Sequence, residues 1–113
     1  MASNTIKKEY ITAKGENKYL KVELYYSLGG INYFTYKTER RGYYLSVCPV
    51  ERSRCGSGWM ESYAAFTGSK ILVQECARKS KAAEQKALGQ YDNMKAMLMD
   101  KFKSLLPDDQ EVA

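Results

Sequence analysis

Between Lys18 and Leu28 apolar and polar side chains alternate without a break. Leu20, Val22, Leu24, Tyr26 and Leu28 share one parity, and Tyr19, Lys21, Glu23, Tyr25 and Ser27 share the other. A repeat of two matches the pleat of a strand with one face buried and does not match the 3.6-residue helical period. Gly29-Gly30 then offers positive-φ positions for a turn. The strand is the strongest constraint in the chain, and everything up to Thr67 can be read against it.

The simplest partner is the next segment, Tyr33 to Thr38. A loop of three or five residues sets Leu24 opposite Tyr36 and Tyr26 opposite Phe34. It also sets Glu23 opposite Lys37 and Lys21 opposite Glu39 outside, so both faces are satisfied. After a tight turn at Glu39-Arg40-Arg41-Gly42, a third strand buries Tyr43, Leu45 and Val47 and shows Tyr44, Ser46 and Cys48 outside. Pro49 cannot donate to a ladder, so it marks the end of regular pairing or an edge. Residues 51–58, ERSRCGSG, read as a polar loop, and WMESYAAFT from Trp59 reads as a fourth strand. Thr5 to Ala13 adds a fifth strand at an edge if it pairs.

The last third carries a different period. Leu72, Cys76, Ser80, Ala83, Ala87, Tyr91, Met94, Leu98, Phe102 and Leu105 form a stripe at a mean spacing near 3.7 residues, which predicts a helix from Ser69 to Leu106. Such a helix is roughly 55 Å long at 1.5 Å per residue, against a domain diameter of only ~35 Å for a chain of this size. Either the helix folds back at Gly89 or a second subunit covers its distal apolar face. The small residues Ser80, Ala83 and Ala87 favour a homodimer through the C-terminal helix.

The expected fold is therefore α+β: a four-stranded antiparallel sheet, five-stranded with the edge, packed on one long C-terminal helix (ββββα). Residues 1–17 form an N-terminal segment, 18–106 the sheet-plus-helix domain and 107–113 an acidic tail. All 18 Lys and Arg precede Pro107, while three of the 13 acids follow it, so a basic body suits a polyanionic partner.

Chemistry is constrained as much by what is missing. The chain has no histidine, which removes Ser-His and Cys-His nucleophiles. Cys48, Cys55 and Cys76 are odd in number and contain no C-x-x-C pair, the pattern of reduced, unpaired thiols. Neither a metal, a small-molecule cofactor nor an enzyme activity is expected. The start MASNTIKKEY lacks the apolar core of a signal peptide, and no stretch approaches a membrane span, so a cytoplasmic protein is expected.

The outer sheet face then collects Tyr19, Tyr25, Tyr33 and Tyr44 beside Lys21 and Lys37. Exposed rings can stack unpaired bases while lysines neutralise phosphates. Arg40 and Arg41 at a hairpin tip, with Arg52 and Arg54 in the following loop, can grip flanking phosphates. The expectation is a non-catalytic protein binding single-stranded DNA or RNA. The alternative is a small protein-interaction module or inhibitor, of phage or mobile-element type, using the sheet face or the distal helix. Cross-strand tyrosines also stabilise sheets without any ligand.

Four antiparallel strands followed by one long helix, over Lys18 to Leu106, resemble the topology of the Whirly proteins, the Pur-type repeats and the positive-cofactor-four coactivators. The resemblance implies a curved sheet backed by a helix, dimerisation partly through helices, and a basic aromatic sheet face as the binding surface. No motif carries a functional residue across by position.

Overall fold

The alternation at Lys18 does form a strand, but its neighbour lies further along the chain than its nearest candidate. The computed structural model describes residues 4–32, 36–56, 58–63 and 68–106. Its elements are β1 (Thr5–Thr12), β2 (Lys18–Ser27), β3 (Gly30–Asn32), β4 (Lys37–Glu39), β5 (Gly42–Cys55), β6 (Gly58–Tyr63), β7 (Ser69–Glu75) and α1 (Lys81–Met99). A 3-10 turn over Asp100–Leu105 follows α1.

The main sheet is antiparallel and five-stranded, ordered β1-β2-β5-β6, with β7 also paired to β5. The long β5 is its spine. One edge of β5 pairs with β2, setting Val22 opposite Val47, Leu24 opposite Leu45 and Tyr26 opposite Tyr43. The other edge is shared: β7 pairs with Gly42 to Val47, and β6 with Val50 to Cys55. Cys48 and Pro49 fall in the interval between them. Pro49 therefore ends pairing on one edge only, while β5 continues past it and into the predicted 51–58 loop as far as Cys55.

The predicted hairpin is thus corrected. Gly30–Asn32 and Lys37–Glu39 do not join the sheet beside β2; they form a separate two-stranded ribbon. Glu23 lies opposite Ser46 and Lys21 opposite Cys48, not opposite Lys37 and Glu39. Both registers respect the parity of β2, but the nearer one would set Thr38 opposite Val22, whereas β5 supplies Val47 there and an apolar or aromatic partner at each inward position from Val22 to Tyr26. Tyr33 and Phe34 lie outside the described residues. Gly29, at φ 73°, lets the chain pass the end of the ribbon, where an added Cβ would lie 2.4 Å from the Glu39 carbonyl oxygen.

The core lies on one side of the sheet. Leu20, Val22, Leu24, Leu45 and Val47 are wholly buried, with Tyr26 and Tyr43 beside them. Each such aliphatic side chain stabilises the fold by about 1.5–3 kcal/mol. α1 packs across β5 and β7, burying Ala83, Ala87, Tyr91 and Leu98, and Phe102 continues the stripe from the 3-10 turn.

The helix is shorter than predicted. Ser80, extended at φ −149°, caps it by accepting a 3.1 Å hydrogen bond from the Ala83 N–H. Leu72 and Cys76, the first members of the predicted stripe, belong to β7 and to the connection after it. At 19 residues α1 is roughly 28 Å long and fits within a molecule of 41 × 36 × 29 Å. It runs through Gly89 without interruption. The overhang that called for a second subunit therefore does not arise. No helix among the described residues is long and apolar enough to cross a membrane.

Candidate nucleic-acid interface

The face of the sheet opposite α1 is defined by the register. It carries Tyr10 from β1, Tyr19, Lys21, Glu23 and Tyr25 from β2, Tyr44, Ser46, Cys48, Arg52 and Arg54 from β5, Glu61 from β6, and Lys70 from β7. Six of the ten residues predicted to bind nucleic acid, Tyr19, Lys21, Tyr25, Tyr44, Arg52 and Arg54, meet on this face. Lys37 and Arg40 lie on the ribbon and at its base. Arg41 starts the connection into β5, and Tyr33 is outside the described residues.

Sharing a face does not make these residues equally available. Tyr44, expected outside, is only 6% exposed. Its ring stacks on Tyr25 at 6.0 Å and 22°, its hydroxyl donates to the Arg40 carbonyl at 2.6 Å, and Lys70 Nζ lies 5.3 Å from its ring centre. The Tyr25–Tyr44 pair is a wall, not two free platforms. Burial, with Glu39 and Glu23 nearby, pushes the Tyr25 hydroxyl pKa up to about 12.

At the other end of the face Tyr10 meets Tyr19 edge-on, with ring centres 6.3 Å apart. The Arg52 guanidinium sits 4.5 Å from the Tyr10 ring centre and 5.8 Å from that of Tyr19. Arg52 Nε is also 3.8 Å from Glu61, whose carboxylate accepts a hydrogen bond from the Tyr10 hydroxyl. Burial first, then that bond, raises the Tyr10 pKa. Arg52 therefore holds β1, β2 and β6 together at this end.

Between the two clusters lies a cleft of about 370 Å³, lined by Lys21, Glu23, Tyr25, Ser46, Val47, Cys48, Gly68, Ser69 and Lys70. The shift of partner from β7 to β6 beside Cys48-Pro49 places it: Gly68 leads into β7 there, and an added Cβ would meet Cys48 Sγ at 3.1 Å. Lys21 Nζ stands 3.5 Å from Glu61 and 4.0 Å from Glu23, and Lys70 Nζ stands 2.7 Å from Glu39. Burial pushes the Cys48 thiol pKa up, which keeps it protonated.

Lys70 and Tyr10 are the contributors that sequence reasoning missed, while Ser46 lies outside as expected. Lys70 was counted with the helix, although SKILVQE is β-branched at Ile71 and Val73 and carries the strand signal. Among the described residues no group of three or more His, Cys, Asp or Glu side chains converges as a metal site requires. No protein-family model, curated protein or solved structure matches the chain.

Proposed function

We propose that this chain is a non-catalytic binder of single-stranded DNA or RNA, and that the cleft on the outer sheet face receives an unpaired base. The observation that carries this reading is the cleft itself, with Tyr25 in its wall and Lys21 and Lys70 among its lining residues. Its volume is at the lower end of ligand pockets, about 300–1,000 Å³, which suits one base splayed from a strand. A base inside a duplex cannot reach it. Stacking on an aromatic wall contributes roughly 1–3 kcal/mol per base, and the lysines neutralise adjoining phosphates.

Lys70 provides the cleanest test, because its side chain is exposed and makes no core contact beyond Glu39 and the Tyr44 ring. Lys70→Glu is expected to weaken binding of a labelled single-stranded oligonucleotide in fluorescence anisotropy while the circular-dichroism spectrum stays that of the parent. Unchanged affinity in the folded variant removes the cleft from the interface.

A second reading, a protein-interaction module, has one specific observation in its favour. The ribbon presents apolar side chains to solvent: Leu28 is 63% exposed, Ile31 60% and Tyr36 83%. Leu28 was expected on the buried face, but it lies beyond the end of β2. Exposed apolar groups gathered on one projection are a common mark of a protein contact. Tyr36→Ser and Ile31→Ser together should then abolish capture of a protein partner and leave oligonucleotide affinity untouched.

A further inference from the structure

We propose a phosphate-binding site, separate from the outer sheet face, in the cleft that Arg41, Arg78 and Lys79 share at the end of the sheet where α1 begins. The proposal stands on a cleft, on cations converging from two parts of the chain, and on the absence of a carboxylate within 4.0 Å of them among the described residues.

The cleft is about 250 Å³ and is lined by Asn4, Tyr26, Leu28, Arg41, Ala77, Arg78 and Lys79. Its frame is rigid for reasons visible in the core. Tyr26 and Tyr43, 3% and 1% exposed, pack edge to face at 5.1 Å, and both aim their hydroxyls at the 76–80 connection. Tyr26 donates to the Cys76 carbonyl at 3.2 Å. Tyr43 donates to the Ser80 carbonyl at 3.3 Å and accepts the Ser80 N–H at 3.2 Å. The Cys76 N–H binds the Arg41 carbonyl at 3.1 Å, and its thiol donates to the Arg78 carbonyl at 2.6 Å. Four of these hydrogen bonds hold the segment bearing Arg78 and Lys79 against β2, β5 and Arg41, and the thiol bond braces it internally.

Several other cations of the chain are paired with acids. Lys21, Arg40, Arg52, Lys70, Lys95 and Lys103 each have a carboxylate oxygen within 4.0 Å. Arg41, Arg78 and Lys79 are exposed, line one cleft, and have no carboxylate that close among the described residues. Three like charges held together without an acid repel one another, and a bound anion relieves that repulsion. Two guanidinium groups can fork onto phosphate oxygens, and the positive end of the α1 dipole adds to the same field. The ligand class is a phosphate group, either in the backbone of a nucleic-acid strand or on a small free ligand.

The test uses the full chain, labelled with nitrogen-15, titrated with a twelve-nucleotide single-stranded DNA and separately with inorganic pyrophosphate. Either probe should shift the amide signals of Arg41, Arg78 and Lys79, and the combined variant Arg41→Ser, Arg78→Ser, Lys79→Ser should lose those shifts. With the DNA, losing three phosphate contacts should flatten the slope of log affinity against log salt by about two. Shifts with pyrophosphate alone keep this site and assign it to a small phosphate ligand rather than to a nucleic-acid strand. Shifts with DNA that Lys70→Glu leaves intact keep this site as one that binds independently of the outer cleft. Amides unmoved by both probes, or a folded triple variant that titrates like the parent, overturn the proposal.

Discussion

Tyr43 shows how one hydroxyl can serve structure at two places. Its ring fills the core opposite Tyr26, and its O–H closes a two-way bond with the Ser80 backbone. Tyr43→Phe keeps the ring and leaves the Ser80 N–H and carbonyl without this partner. A loss of about 1–3 kcal/mol in urea unfolding is expected, against about 1 kcal/mol for Tyr26→Phe, which gives up one bond. Glu9 makes a comparable junction from the edge strand. It accepts Lys95 Nζ at 2.5 Å and the Tyr91 hydroxyl at 2.7 Å, tying β1 to α1. The Lys95 bond, outweighing partial burial, lowers the Glu9 pKa below the ordinary 4.5, while burial and the Glu9 contact raise that of Tyr91. A carboxylate with a depressed folded pKa stabilises fully above its unfolded value, and that contribution disappears as pH falls through the folded one. Glu9→Gln should therefore be less stable than the parent at neutral pH, with the difference shrinking on acidification below about 4.5. A constant difference across that window would place the stabilisation elsewhere. At this scale the sequence was legible where parity decides: all four inward residues of β2 from Leu20 to Tyr26 are buried. It misled at Tyr44, because parity tells which way a side chain points and not what lies over it.

Among the elements, the helix start and the strand partner were the two places where local signals competed. The 3.7-residue stripe runs from Leu72 through Ser80 without a break, so nothing in it marks where the helix begins. The structure caps it at Ser80, because Ile71 and Val73 are β-branched and gain more beside β5 than in a helical turn. Ser80→Ala should cost about 1 kcal/mol. Gly89 is exposed inside α1, and an added Cβ would meet nothing within 4 Å. Gly89→Ala should therefore raise stability by roughly 0.8–1 kcal/mol. A thermal or urea transition that moves the other way would mean that α1 bends there in solution. Gly42→Ala should act oppositely, since its Cβ would lie 2.4 Å from the Gln74 carbonyl oxygen at the crossing of β5 and β7. The glycines at 29 and 30 were rightly read as a turn, but the turn leads into a ribbon outside the sheet. Deciding between Tyr36 and Leu45 as the partner of Leu24 requires knowing that β5 extends to Cys55, and RSRC reads locally as loop.

For the whole molecule, the layered sheet-on-helix plan was readable because hydrophobic patterning sets it, whereas the edge strand at Thr5–Thr12 has no clean alternation and could be given only as an option. The candidate site was readable as a face and not as a cleft. The cleft depends on β6 and β7 sharing one edge of β5 with a gap beside Pro49, a tertiary arrangement with no local signature. The outer face is also less positive than its lysines and arginines suggest, since Glu23, Glu39 and Glu61 sit among them. Its attraction for a strand should come from a base in the cleft as well as from charge. The decisive measurement is a fluorescence-anisotropy titration of the full chain with single- and double-stranded oligonucleotides of one sequence, at low and at moderate salt. Preferential binding of the single strand is expected, weakening as salt rises by roughly 0.7 in log–log slope for each phosphate contact. Equal affinity for the duplex, or no binding of the single strand even at low salt, would contradict the account.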